Sequence, residues 1–187
     1  MLGTSAGDNL RRDIYIATAK NNDTLSGQVI TWVTHASLMP DRRHIISVFS
    51  KFNHTYLTAK KSGTYALNLV SPHQLERVYR FGLYSGNDTN KYKTFERFSD
   101  FNDYKISKQG NPILDDVPGY CEVKIIDEKD LGDRIIVIGQ VTKDVFNKEN
   151  QTLSLIEFLN NAEVDMIALQ KKNLISMIER DSQYINL

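Results

Sequence analysis

The 187 residues contain one cysteine, Cys121, which removes any intrachain disulfide and any CxxC metal or redox pair. That usage fits a reducing cytoplasm. Charge of one sign is also lacking: Lys plus Arg and Asp plus Glu each total 23. No net field therefore draws the chain to nucleic acid or to an anionic membrane. No apolar run approaches the roughly 18 residues of a spanning helix, and the N-terminus has neither the cationic start nor the apolar stretch of a secretory signal. The expectation is a cytoplasmic protein with no membrane or nucleic-acid partner. A GxxxxGK[ST] loop, a post-strand GxGxxG, a GxSxG elbow and a helical HExxH pair are all missing, and His35, His44, His54 and His73 show no metal-ligand spacing. A dinucleotide reductant would have to bind outside a Rossmann domain.

What is present is the composition of a single globular domain spanning 1–187, with 41% hydrophobic and 25% charged residues. Residues 1–9 are small and polar and read as a loose lead-in. Strand patterns occupy Ile14–Ala19, Gln28–Ser37, His44–Ser50 and Thr64–Val70, where Tyr65, Leu67 and Leu69 share one face. Cys121, Val123 and Ile125 alternate with Glu122 and Lys124, and Ile135, Val137 and Val141 answer them. Asp130–Asp133 joins these two runs, with Gly132 free to take positive φ. Six strands with short joins predict a mainly β, antiparallel sheet or barrel. Ser71-Pro72-His73-Gln74 reads as a helix start followed by the stripe Leu75, Val78, Tyr79, with Gly82 as its stop. Residues 152–187 form a helical C-terminal extension, in which Val164, Ile167, Ala168, Leu174, Ile175 and Ile178 predict a face covering the barrel or a partner subunit.

Two segments carry candidate chemistry. Thr31-Trp32-Val33-Thr34-His35-Ala36-Ser37 spaces three hydroxyls along a strand with an aromatic beside them. Such a strand is more often simply a well-packed sheet than a wall holding a flat ring with one polar edge. Thirteen residues on from Ser37, the turn Ser50-Lys51-Phe52-Asn53-His54-Thr55 offers one cation, side-chain donors and successive backbone N–H groups, as a phosphate requires. A helix starting near Thr55 would add its positive end. An ordinary capped helix with an exposed Lys51 fits the same residues.

These blocks, with Ser62-Gly63-Thr64-Tyr65-Ala66-Leu67-Asn68-Leu69-Val70 and Phe81-Gly82-Leu83-Tyr84-Ser85-Gly86-Asn87-Asp88-Thr89-Asn90-Lys91-Tyr92, resemble the flavin reductase-like family in order and approximate spacing, over about residues 12–145. His35 stands where the family often has Gln, Asn90 and Tyr92 stand for the commoner Asp and Phe, and Pro40 is followed by Asp41-Arg42-Arg43 rather than a second proline. The resemblance implies an antiparallel split β-barrel with peripheral helices and a C-terminal helix. It implies a homodimer binding FMN, less often FAD, without covalent attachment, with NAD(P)H or a protein as electron donor. Carried over by position, Thr31, Trp32, Val33 and Thr34 would line the isoalloxazine and Ser37 would orient its edge. Ser50, Lys51, Asn53 and Thr55 would hold ribityl and phosphate oxygens, and Lys91 would be a second cation at the phosphate or across the subunit interface. Two functions share that site: an NAD(P)H-dependent flavin reductase or flavoredoxin-type oxidoreductase, and a non-catalytic electron-carrier module.

Overall fold

The computed structural model describes residues 12–147 and 149–185; the expected lead-in at 1–9 lies outside them. In chain order the elements are β1 (Tyr15–Asn21), β2 (Thr24–Ile30), β3 (Val33–His35), β4 (His44–Ser50), α1 (His54–Ser62), β5 (Thr64–Leu69), α2 (Leu75–Gly82), β6 (Tyr104–Ile106), β7 (Pro112–Leu114), β8 (Gly119–Asp130), β9 (Arg134–Phe146), α3 (Leu155–Asn161) and α4 (Val164–Ser182). Seven strands form one antiparallel sheet in the order β2-β1-β5-β8-β9-β4-β3, and β6 pairs with β7 in a separate hairpin. The sheet cannot be flat. β2 and β3 are its opposite edges, yet only Thr31 and Trp32 separate them in the chain. Three residue steps reach at most ~11 Å, so the sheet curls until its edges nearly meet. The outcome is the split barrel.

Alternation along the strands sorts side chains to its two faces. Ala17, Ala19, Ile45, Phe49, Tyr65, Leu67, Val123 and Val137 fill the interior together with Tyr56 and Ala59 of α1. Ile14, Ile16, Val70 and Leu114 point outward, into a second core shared with Val78, Tyr79 and Phe81 of α2, Phe158 of α3 and Met166 of α4. Asn68 ties these layers together. Its amide donates to Ile16 O and Thr18 Oγ1, both at 3.0 Å, while its Oδ1 accepts from Leu114 N at 2.9 Å.

Three expectations are corrected in detail. The strand Gln28–Ser37 breaks at Thr31–Trp32, because its halves pair with different neighbours, β1 and β4. The helix expected from Ser71 begins at Leu75. The Ser71 N–H receives its partner from the Gln74 side chain at 3.0 Å, so the capping chemistry closes a turn before the helix rather than its first turn. Glu122, which alternates with Cys121, Val123 and Ile125, is also buried at 1% exposure, its carboxylate accepting hydrogen bonds from Ser107 Oγ and Asn111 Nδ2 under the β6–β7 hairpin. The C-terminal extension is two helices, α3 starting with a Ser154–Glu157 capping box. Of the stripe expected to cover the barrel or a partner subunit, Val164, Ile175 and Ile178 are exposed, which leaves the partner alternative for them, while Met166, Leu169 and Met177 on the opposite side meet the body. Among the described residues no helix is long and apolar enough to cross a membrane.

Candidate functional site

β4 leads directly into the turn at Ser50. The Asn53 N–H closes that turn on Ser50 O at 3.1 Å, and α1 starts at the next residue. Asn53 caps with extended backbone angles but makes no side-chain cap, and the first turn holds no acidic residue. The N–H groups that every helix start leaves without intrahelical partners therefore meet no carboxylate of their own helix, which is the donor set an anion selects. Gly63, at φ +75°, stops α1 in the left-handed conformation that glycine adopts without a steric cost.

Three other segments converge on this turn. The Ser85–Asn87 loop lies against it: a side chain at Gly86 would press on His54 Cβ at 3.1 Å, and Asn87 Nδ2 donates to Phe52 O at 3.2 Å. The end of β8 brings Asp130, whose Oδ2 is 3.3 Å from Lys51 Nζ. The end of α4 brings Arg180, which donates from Nη2 to Ser50 Oγ at 3.1 Å, and just past it Tyr184, whose ring centre lies 4.5 Å from that of Phe52. Lys51 Nζ sits 5.5 Å from the Phe52 ring centre and 5.2 Å from that of Tyr184. Burial, reinforced by Lys91 and Lys61, holds His54 below its ordinary value, so it is neutral at pH 7. Burial alone would push the Asp181 carboxyl up, but hydrogen bonds from Arg180 and Arg134 outweigh it and keep the group ionised.

The register of β3 on β4 decides which residues of the first block approach the turn. Val33 pairs with Ser47, and Trp32 O accepts from Val48 N at 3.0 Å, so Thr31 and Trp32 lie beside the end of β4 that becomes Ser50. Thr34 pairs with Ile46 one step further away. Ser37 lies past the far end of β4, ~20 Å along the strand from the turn by ordinary strand rise, and its Oγ accepts from Met39 N at 3.1 Å. Of the sequence candidates, Lys51 and Asn53 are half-buried and Ser50 and Thr55 buried at the turn; Thr31 and Val33 are half-buried on the neighbouring segment, where Trp32 and Thr34 are exposed. A cleft of about 460 Å³ opens next to Thr31 and Trp32, walled across by Gly82 and Leu83 of the α2 end and by Asn173 and Met177 of α4.

Lys91 is a correction. Its Nζ donates to Gly27 O at 3.0 Å and Phe81 O at 2.7 Å and the side chain is buried, so the ammonium staples α2 to β2 instead of facing the turn. Burial pushes it down to about 7. The unfolded chain, at the ordinary lysine value of 10.5, then holds more protons than the folded one between these limits. Stability is lowest below pH 7 and rises as pH climbs from about 7 toward 10.5. Urea melts across that range should show a rise for the wild type that is missing in Lys91→Met. Parallel slopes for the two proteins would contradict it.

Arg180, Tyr184 and Asp130 were not among the sequence candidates, and Asn87 stood only within the fourth motif block, with no role of its own. The partners of the first three lie 130, 132 and 79 residues away, and only a known tertiary contact could have flagged them.

The chain matches the flavin reductase like domain over residues 8–158. It is 29% identical, over 142 residues, to the high molecular weight rubredoxin of Moorella thermoacetica, covering 75% of this chain and 58% of that relative. The chain thus spans little more than half of that protein. Solved structures with the same fold include the NADH:FAD oxidoreductase SgcE6 of Streptomyces globisporus (14% identity, 78% of this chain and 81% of that one, TM-score 0.65). The FMN-binding protein of Thermus thermophilus superposes at a TM-score of 0.65, with 16% identity over 75% of each chain. The flavoredoxin of Methanosarcina acetivorans does so at 0.63, with 11% identity over 78% of this chain and 85% of that one. With that domain spanning most of its length and the split barrel built as described, the chain belongs to the flavin reductase-like family.

Proposed function

We propose that the protein binds FMN, in preference to FAD, without a covalent bond, and works as an oxidoreductase of flavin reductase or flavoredoxin type. The observation that carries this reading is the meeting of two motif blocks on adjacent strands. The open N-terminus of α1, Lys51 and Asn53 form a cationic, donor-rich end, and Thr31–Trp32 beside an apolar cleft form the other. A flavin nucleotide has the same two ends, and the cleft volume lies within the usual range for a small-molecule site.

When bound, the flavin supplies the redox chemistry, accepting a hydride or single electrons that no side chain carries. The chain's own residues would position it. Lys51, Asn53 and the first-turn N–H groups of α1 would hold the phosphate; Thr31, Val33 and Thr34 would offer strand hydrogen-bonding groups to the polar edge of the ring; Trp32 would shield one side of it. With His54 held below its ordinary value and the Cys121 thiol pushed up to about 12 by burial, neither residue offers a charged imidazolium or thiolate as its main form at neutral pH.

Purified protein incubated with FMN and desalted should retain the flavin absorbance bands, and anaerobic NADH or NADPH should bleach them. Protein that stays colourless would overturn the reading.

A second reading is an electron-carrier module that takes electrons from a protein donor. It is favoured by the rubredoxin-type relative, in which the matching domain is only part of a longer chain. Bleaching by a reduced rubredoxin but by neither nicotinamide would select it. We include a homodimer in the proposal, supported by the exposed apolar residues Val164, Ile175 and Ile178 of α4.

A further inference from the structure

We infer that Arg180 is part of the phosphate-binding set, so that α4 adds a cation to the flavin site from outside the family domain. The inference rests on the flavin reading above. The matched domain ends at residue 158, whereas α4 spans Val164–Ser182. The last turn of this added helix nevertheless lands on Ser50, the residue that opens the phosphate turn.

The geometry favours a working cation over a mere latch. Arg180 has five N–H donors in a fixed fork. Nε is held by Asp181 Oδ1 at 2.6 Å, and Nη2 reaches Ser50 Oγ at 3.1 Å, so donors remain for a further acceptor. The side chain is 42% exposed, open to an incoming anion. Its guanidinium lies 5.2 Å from the Phe52 ring centre, and Lys51 Nζ lies 5.5 Å from the same centre. Two cations on one aromatic ring, next to a helix N-terminus, form a pair that a dianionic phosphate would bridge. Asp181, 3% exposed and shared with Arg134, aims the fork rather than neutralising it alone.

α4 also walls the cleft beside Thr31 and Trp32 through Asn173 and Met177. One helix would therefore line both ends of the site.

The test compares FMN with riboflavin, which lacks the phosphate, by fluorescence-quenching titration of full-length protein. Arg180→Ala should raise the Kd for FMN about tenfold and leave that for riboflavin unchanged, as loss of a charge-assisted phosphate bond demands. Arg180→Lys should retain part of the preference, and FMN binding to the wild type should weaken with salt more steeply than binding to Arg180→Ala. Arg180→Gln serves as the neutral variant if the alanine protein fails to fold. Equal losses for both flavins, with a lowered melting temperature, would make Arg180 a structural latch and overturn the inference, as would unchanged FMN affinity. If Lys51→Ala alone lowers FMN affinity, the inference falls and the flavin reading stands. If wild-type protein binds neither flavin, both fall.

Discussion

Replacing Lys51 with Ala is expected to weaken FMN binding by ~1–3 kcal/mol, roughly five- to 150-fold, the range for removing one charged partner from a hydrogen-bonded phosphate. Riboflavin affinity should change far less. The side chain is 21% exposed and already oriented, with Asp130 at 3.3 Å and the Phe52 and Tyr184 rings under its ammonium. Little rotamer entropy is then lost on binding, which places the effect within that range rather than at the near-zero value of a free surface lysine. Asp130 competes with the phosphate for the same ammonium. Asp130→Ala should therefore shift FMN affinity the opposite way, about two- to threefold tighter, a modest change because the carboxylate is solvated. Calorimetry of wild type, both single variants and the double variant checks both signs. Unchanged FMN affinity in Lys51→Ala would remove Lys51 from the site.

Arg80→Ala should be the most destabilising single change, at about 3–5 kcal/mol. Arg80 is 5% exposed in α2 and organises the irregular segment that follows. Its Nε donates to Lys91 O at 2.7 Å, Nη1 to Ser99 O at 2.8 Å and Nη2 to Lys93 O at 3.0 Å. The rings of Phe95, Phe98 and Phe101 each lie 5.3 Å from the guanidinium carbon. Truncation strands three carbonyls without their charged donor and opens a void among the rings, so desolvation and packing losses add. Arg80→Lys should recover only part, because a compact ammonium cannot reach three carbonyls with the geometry of a fork. Urea melts with matched m-values measure this. A loss under ~1 kcal/mol would mean that the aromatic contacts alone hold the segment.

These two residues differ in how far they could be read from the chain. Lys51 stands in a turn whose composition, one cation among small donors after a β-branched run, made it a candidate for an anion site beside the reading of an ordinary capped helix. Arg80 looks like the solvated side of an amphipathic helix. Its burial follows from the later segment folding over it, which helical periodicity does not encode. Lys91 misled for a related reason: motif spacing placed a lysine after Ser85–Asn90, but the direction of its side chain depends on carbonyls of Gly27 and Phe81 that it happens to meet in the interior. The α4 stripe left two covers open, the barrel or a partner subunit, because that helix has apolar residues on two sides and either could have faced the barrel.

Local chemistry was therefore legible wherever neighbours in the chain carry it: period-two strands, Gly132 at positive φ, the turn at Ser50–Asn53, and the order of the four motif blocks that identified the family. The sheet order, the break at Thr31–Trp32, the burial of Arg80 and Lys91, and the landing of Arg180 on Ser50 belong to the tertiary structure. The physical reason is range. Backbone propensity and side-chain periodicity act over a few residues, whereas these contacts join positions tens to more than a hundred residues apart, where many pairings are compatible with the pattern and only the packed whole selects one.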